Sequence, residues 1–198
     1  MRSWHSPTGA VLEAEGNLTE GDGGMMNTLS QAITTDALDN LVAMSRRHKC
    51  KEDCSLRKLE YLSNNYSKVI EVQCGPNGTN LHLQYILYQK THKRHHFGAF
   101  CRKAEGEWIP ITLHWQGHKV RTSIAQLNFF RFISQMRVME WLDRVVDGKS
   151  NHDRVHEHRR RASTRASASR RGGVSKRSTL NPGHHTPAGR MGCVMRRR

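Results

Sequence analysis

The chain has 198 residues, with 32 Lys and Arg against 17 Asp and Glu, giving a formal net charge of +15 and a pI near 10.2. No stretch approaches the ~20 apolar residues of a membrane-spanning helix, so a spanning protein is not expected. Hydrophobic residues make up 36% and mean hydropathy is −0.73, so one domain is expected, with part of the chain outside its packed core.

In chain order, residues 1–24 read as a flexible acidic N-terminus, because Gly16, Gly21, Gly23 and Gly24 break any periodicity. The opening residues also lack the charged-then-apolar layout of a secretory leader. Residues 26–47 read as a helix: Leu29, Ile33, Ala37, Leu41 and Met44 recur at three- or four-residue steps. A shorter helix follows at 56–62. The period then changes to that of strands. Val69 to Val72 is a strand candidate closed by the turn Gly75-Pro76-Asn77-Gly78, and residues 81–88 alternate as a half-buried strand does. Residues 97–102 and 108–115 complete an antiparallel set of about four strands, with Pro110 pushing the last toward a sheet edge.

A long helix over 124–146 comes next, opened by a Ser123–Gln126 capping box and closed by Gly148. Its apolar residues fall in two sets, so both sides need cover. The sheet is one cover; a second protomer or the N-terminal helix is the other. Phe130 and Trp141 are the candidate interface residues on it. These elements make residues 25–148 a compact α+β domain.

The charge is unevenly placed. Residues 1–44 hold one base and six acids, residues 45–148 hold 17 bases and nine acids, and residues 149–198 hold 14 bases and two acids. The last segment contains no Phe, Tyr, Trp or Ile and is expected to be a disordered Arg/Ser-rich tail. Arg159, Arg160, Arg161, Arg165, Arg170, Arg171, Lys176 and Arg177 form spaced basic clusters in it. Guanidinium groups bind phosphate bidentately and release condensed counterions from nucleic acid, and Arg strongly outnumbers Lys here. The same clusters suit a nuclear import receptor. A solvated polybasic tail without a dedicated partner is the plain alternative. Binding to a membrane surface would need a second anchoring signal; Cys193 misses a prenylation box, and residue 2 is Arg instead of a myristoylated Gly.

A second basic stretch runs through Lys90, Lys93, Arg94, His95, His96, Arg102 and Lys103. Tyr85, Tyr88, Phe97 and Phe100 lie beside it, as single-strand binders place aromatics next to cations, although aromatics more often belong to a core. Lys119 and Arg121 extend this surface. His48, Cys50 and Cys54 are weak zinc candidates, since one Cys-x3-Cys stands without a matching second pair. Five cysteines do not suggest a disulfide framework, and the sequons at Asn17, Asn65 and Asn77 matter only on a secretory route. No catalytic motif is present, and neither enzyme activity nor a cofactor is expected. Ser163 follows two arginines in a basic-directed kinase pattern, where phosphate would weaken polyanion binding.

The layout resembles that of small nuclear regulators and of small basic accessory proteins of viruses, in arrangement and without a shared motif. The expected function is a non-enzymatic, regulatory nucleic-acid-binding protein of the nucleus, contacting DNA or RNA through its tail. The alternative is a dimerisation or protein-interaction module whose tail is mainly an import signal.

Overall fold

The computed structural model describes residues 2–46, 55–92, 96–100, 110–146 and 149–171. In chain order the elements are β1 (Arg2–His5), β2 (Val11–Ala14), α1 (Glu20–Ala32), α2 (Thr35–Arg46), α3 (Leu56–Tyr61), a π-helical turn (Leu62–Tyr66), α4 (Ser67–Val69), β3 (Gln73–Cys74), β4 (Thr79–Asn80) and α5 (Leu81–Thr91). They are followed by β5 (Ile111–Trp115), β6 (His118–Thr122), α6 (Ile124–Gln135), α7 (Val138–Asp143), β7 (Val145–Val146), β8 (Lys149–Ser150) and α8 (Asn151–Arg171). The protein is α+β, with a four-stranded antiparallel sheet in the order β1-β2-β5-β6.

The sheet has the expected strand number but largely different members. Only β5 comes from the predicted set. Residues 1–24, expected to be flexible, contribute β1 and β2, and β6 was not anticipated. Gln116 and Gly117, with φ of 47° and 74°, make the two-residue turn that joins β5 to β6. Positive φ at both positions matches the right-handed twist of the strands they connect. Pro110 precedes β5, so it removes no ladder donor, and β5 lies between β2 and β6 instead of at the edge.

Residues 81–88 form α5 instead of a strand. The Asn80 side chain accepts the Leu83 amide at 3.0 Å and caps the helix. Leu81 and Tyr85 then face the core, while Leu83 and Leu87 face outward, so the alternating apolar residues divide between two helical faces. The expected strand at 69–72 is the end of α4 and its exit; the Gly75–Gly78 turn instead joins β3 to β4. Residues 97–100 carry no strand, and 101–102 lie outside the described residues.

Both long helices expected from the sequence are broken. Residues 26–47 divide at Ile33, whose ψ of 132° is extended, and the Thr34 hydroxyl accepts the Ala37 amide at 3.3 Å to start α2. Residues 124–146 divide at Arg137, which sits in the left-handed region with φ of 48°. The capping at Ser123 is as expected, with its hydroxyl accepting the Gln126 amide at 3.2 Å.

α6 occupies the centre of the core: Leu127, Phe129, Phe130, Phe132 and Ile133 are fully buried. The N-terminal helices α1 and α2 pack on it. Sheet residues Leu12, Ala14, Ile111 and Leu113 belong to the same cluster. Tyr85 and Tyr88 join Phe97, Phe129 and Phe132 in a set of tilted and edge-on ring contacts.

Candidate nucleic-acid interface

The N-terminal half of the expected disordered tail is helical. α8 begins at a Ser150 cap: the Ser150 hydroxyl accepts the Asp153 amide at 3.3 Å and donates to the Asp153 carboxylate at 3.0 Å. Asn151, Val155 and His158 lie at i, i+4 and i+7, which puts them on one helical face. That face docks on the body. Val155 is fully buried, and Asn151 Nδ2 donates to the Trp141 carbonyl at 2.6 Å.

Two histidines complete the anchor. His152 sits between Lys58 and Asp143, with Nδ1 3.0 Å from Lys58 Nζ and Nε2 3.0 Å from Asp143 Oδ1. An ammonium can only donate, so His152 Nδ1 accepts from Lys58 and Nε2–H donates to Asp143. His158 Nδ1 lies 2.7 Å from the Tyr61 hydroxyl, and its ring meets Tyr66 edge-on with centroids 5.2 Å apart. Tyr66 closes the π-helical turn, so the extra residue of that turn helps aim its ring at α8. Burial raises the Tyr61 and Tyr66 phenols above their usual range, partly offset by Arg159 near Tyr61 and Arg154 near Tyr66.

Beyond Arg159 the helix leaves this support. Residues 160–166 are all exposed, which places Arg160, Arg161, Arg165 and the kinase-pattern Ser163 at the surface. Arg161 pairs with Glu157 at 2.6 Å, and no acid follows Glu157 in the chain. Arg170 and Arg171 end α8. Lys176 and Arg177 lie outside the described residues.

The second basic stretch is not assembled as expected. Lys90 is exposed near the end of α5. His96 is buried, and its Nε2 lies 2.6 Å from Asp22 Oδ1, so it serves the fold instead of a ligand. Burial alone would raise the Asp22 carboxyl; hydrogen bonds from Thr19 and His96, with the His96 charge, outweigh it and hold Asp22 below its usual range. Asn128 and Gln126 donate to the carbonyls of His96 and Ala99 at 3.0 and 3.3 Å, strapping residues 96–100 to α6. Lys93, Arg94, His95, Arg102 and Lys103 lie outside the described residues. The aromatics proposed for base stacking are largely occupied: Tyr85 and Phe97 are core residues, and Tyr88 stacks on His92. Burial pushes His92 below its usual range.

The outer sheet surface is mixed in sign. Glu13 pairs with His114 at 3.0 Å, and Glu15 lies 3.7 Å from Arg121. An acid of the N-terminal segment therefore faces Arg121, one of the two bases expected to extend a polyanion surface. Phe130 is fully buried and is not an interface residue. Trp141 is half-buried against Tyr66 and supports α8 through its carbonyl. The apolar face of Phe130 is covered within the chain, and that of Trp141 is covered in part.

His48, Cys50 and Cys54 lie outside the described residues, and among the described residues no group of three or more His, Cys, Asp or Glu is placed to hold a metal. Cys74 is buried, and its thiol is pushed up to about 11 by burial, partly opposed by Arg144. An open cleft between β1 and α1 is lined by Arg2, Trp4, Glu20 and Asn27. Ser3, Gly23 and Gly24 complete the lining, and the Trp4 indole donates to Asn27 at 2.7 Å. No helix among the described residues is long and apolar enough to cross a membrane.

A family model matches residues 19–186, from the α1 cap through α8 and beyond. The chain belongs to DUF7197, a family of unknown function. The DUF7197 match thus includes the anchored basic helix and leaves the β1–β2 hairpin outside it. No curated protein and no solved structure matches the chain.

Anchor residues Lys58, Tyr61, Tyr66 and Asp143 were missed from sequence because they are scattered over three elements. The signal on α8 itself was present: Ser150 and Asp153 form a cap, and Asn151, Val155 and His158 recur at helical spacing. The high Arg content obscured it.

Proposed function

We propose that this DUF7197 protein is a non-enzymatic, regulatory nucleic-acid-binding protein of the nucleus, which holds phosphate backbone with α8 and the basic residues after it. The observation that carries this reading is the division of α8 into two parts. Its first two turns are docked and contain both of its acids; residues 160–166 beyond them are exposed, and from Arg159 to its end the helix contains only basic, small and hydroxyl-bearing residues. A cationic segment held at one end binds polyanions by counterion release while the body keeps its direction fixed. Phosphate on Ser163 would add roughly −1.5 to −2 charge among Arg160, Arg161 and Arg165 and weaken that binding. The same arginines suit an import receptor.

The test uses the whole chain, since cutting at 149 would remove Val155 and His158 from the body. Replacing Arg160, Arg161 and Arg165 together by Gln is expected to weaken binding to DNA or RNA about tenfold or more at moderate salt. Unchanged affinity would sink the proposal.

A second reading, a protein-interaction module, is favoured by Leu83 and Leu87. They are 66% and 54% exposed and lie four residues apart on one face of α5. Charging Leu83 would disrupt a complex formed there and leave nucleic-acid binding intact.

A further inference from the structure

We propose that the projecting half of α8 seats in the major groove of B-form duplex DNA. This rests on the nucleic-acid reading above and narrows it to one ligand class.

The first argument is shape. Between Arg161 and Arg170, α8 contains only Ala, Ser, Thr and Arg. An α-helix with ordinary side chains is about 10–12 Å across, and one with such short side chains is slimmer. The B-DNA major groove is about 12 Å wide and admits a helix. The major groove of A-form RNA is too deep and narrow to be read in this way. A single strand offers no groove. The small residues let the helix backbone approach the base edges, with the methyls of Ala162 and Ala166, four residues apart on one face, suited to thymine methyls.

The second argument is charge placement. Arg161 and Arg165 are four residues apart and share one side of the helix, and Arg160 lies about 100° round from Arg161. A helix lying in the groove needs cations on both flanks, because phosphates of both strands border it. The two acids, Asp153 and Glu157, are confined to the docked turns, so the projecting part carries no repulsive group. Glu157 engages Arg161 at 2.6 Å and must yield it when phosphate is bound.

The third argument is support. A helix that is polar all round has no apolar face to hold it and is marginal on its own. The anchor through Val155, His152 and His158 nucleates the helix from its N-terminal end. A duplex supplies the surface against which the rest is ordered.

The experiment measures binding of the full-length chain, at one salt concentration, to three probes of equal length: duplex DNA, duplex RNA and single-stranded DNA. Duplex DNA is expected to bind about tenfold tighter than either other probe. Ser163→Pro breaks the projecting helix while keeping every charge, and is expected to bring duplex DNA down to the level of the other two. A thermal melt of this variant matching the wild type shows that the body still folds. Equal affinity for the three probes, or a duplex preference that survives Ser163→Pro, overturns the groove proposal. If Arg160, Arg161 and Arg165 replaced by Gln still lower affinity in that case, the arm reading stands and only the groove is lost. If they do not, both fall.

Discussion

Tyr61 and His158 meet hydroxyl to imidazole across 2.7 Å, at the last turn where α8 is still held by the body. Across the next residues the helix passes from packed to exposed. This contact and the nearby Tyr66 ring edge therefore bound the anchored part. Removing the hydroxyl by Tyr61→Phe leaves the ring packing and deletes the bond, a loss of about 1 kcal/mol. Hydrogen exchange should show faster exchange of amides in residues 155–162, with exchange in α6 unchanged. Equal protection in α8 would show that ring packing alone holds it.

The core and surface readings of the apolar residues separate by mutation. Phe132 is fully buried among Tyr85, Tyr88 and Phe97, so Phe132→Ala should destabilise the fold by about 3–5 kcal/mol. Leu83→Ser removes an exposed side chain and should change stability by less than about 0.5 kcal/mol. Urea denaturation of both variants checks the contrast.

Acid stability follows from Asp22. Its carboxyl is held below the usual range when folded, so its ionised form favours the native state. That contribution is fully present above the unfolded value of about 3.9 and is lost as pH falls through the lower folded value. Between about pH 5 and pH 2, wild-type stability should fall more steeply than that of Asp22→Asn. Parallel curves for the two would show that the Thr19–Asp22–His96 cluster does not contribute.

The Cys74 thiol, buried and pushed up to about 11, is almost wholly protonated near neutrality. Thiolate is the reactive form, so Cys74 should resist alkylation in the native protein and react once the chain is unfolded. Mass mapping after a timed iodoacetamide pulse distinguishes the two states.

The α+β class was legible because the apolar spacing of α2 and α6 is strongly helical and residues 111–115 read as a strand. The strand assignments failed where two periods coincide. Leu81, Leu83, Tyr85 and Leu87 alternate as a strand does, yet a single Asn80 cap turns them into a helix. β1 and β2 were hidden because four-residue strands beside glycines give little periodic signal, and their pairing with β5 is a long-range relationship. At the candidate site, the basic residues of α8 were visible as composition. Their docking was not, because it depends on Lys58 and Tyr61 far away in the chain, and the cap and spacing that signal the helix were masked by the high Arg content.

The most direct test of the central claim is the salt dependence of duplex DNA binding by the full-length chain and by the variant with Arg160, Arg161 and Arg165 replaced by Gln. Each phosphate neutralised contributes about 0.9 to the slope of log K against log salt, so the variant's slope should be shallower by roughly 2–3. Identical slopes would contradict the account, because the projecting half of α8 would then contact no phosphate.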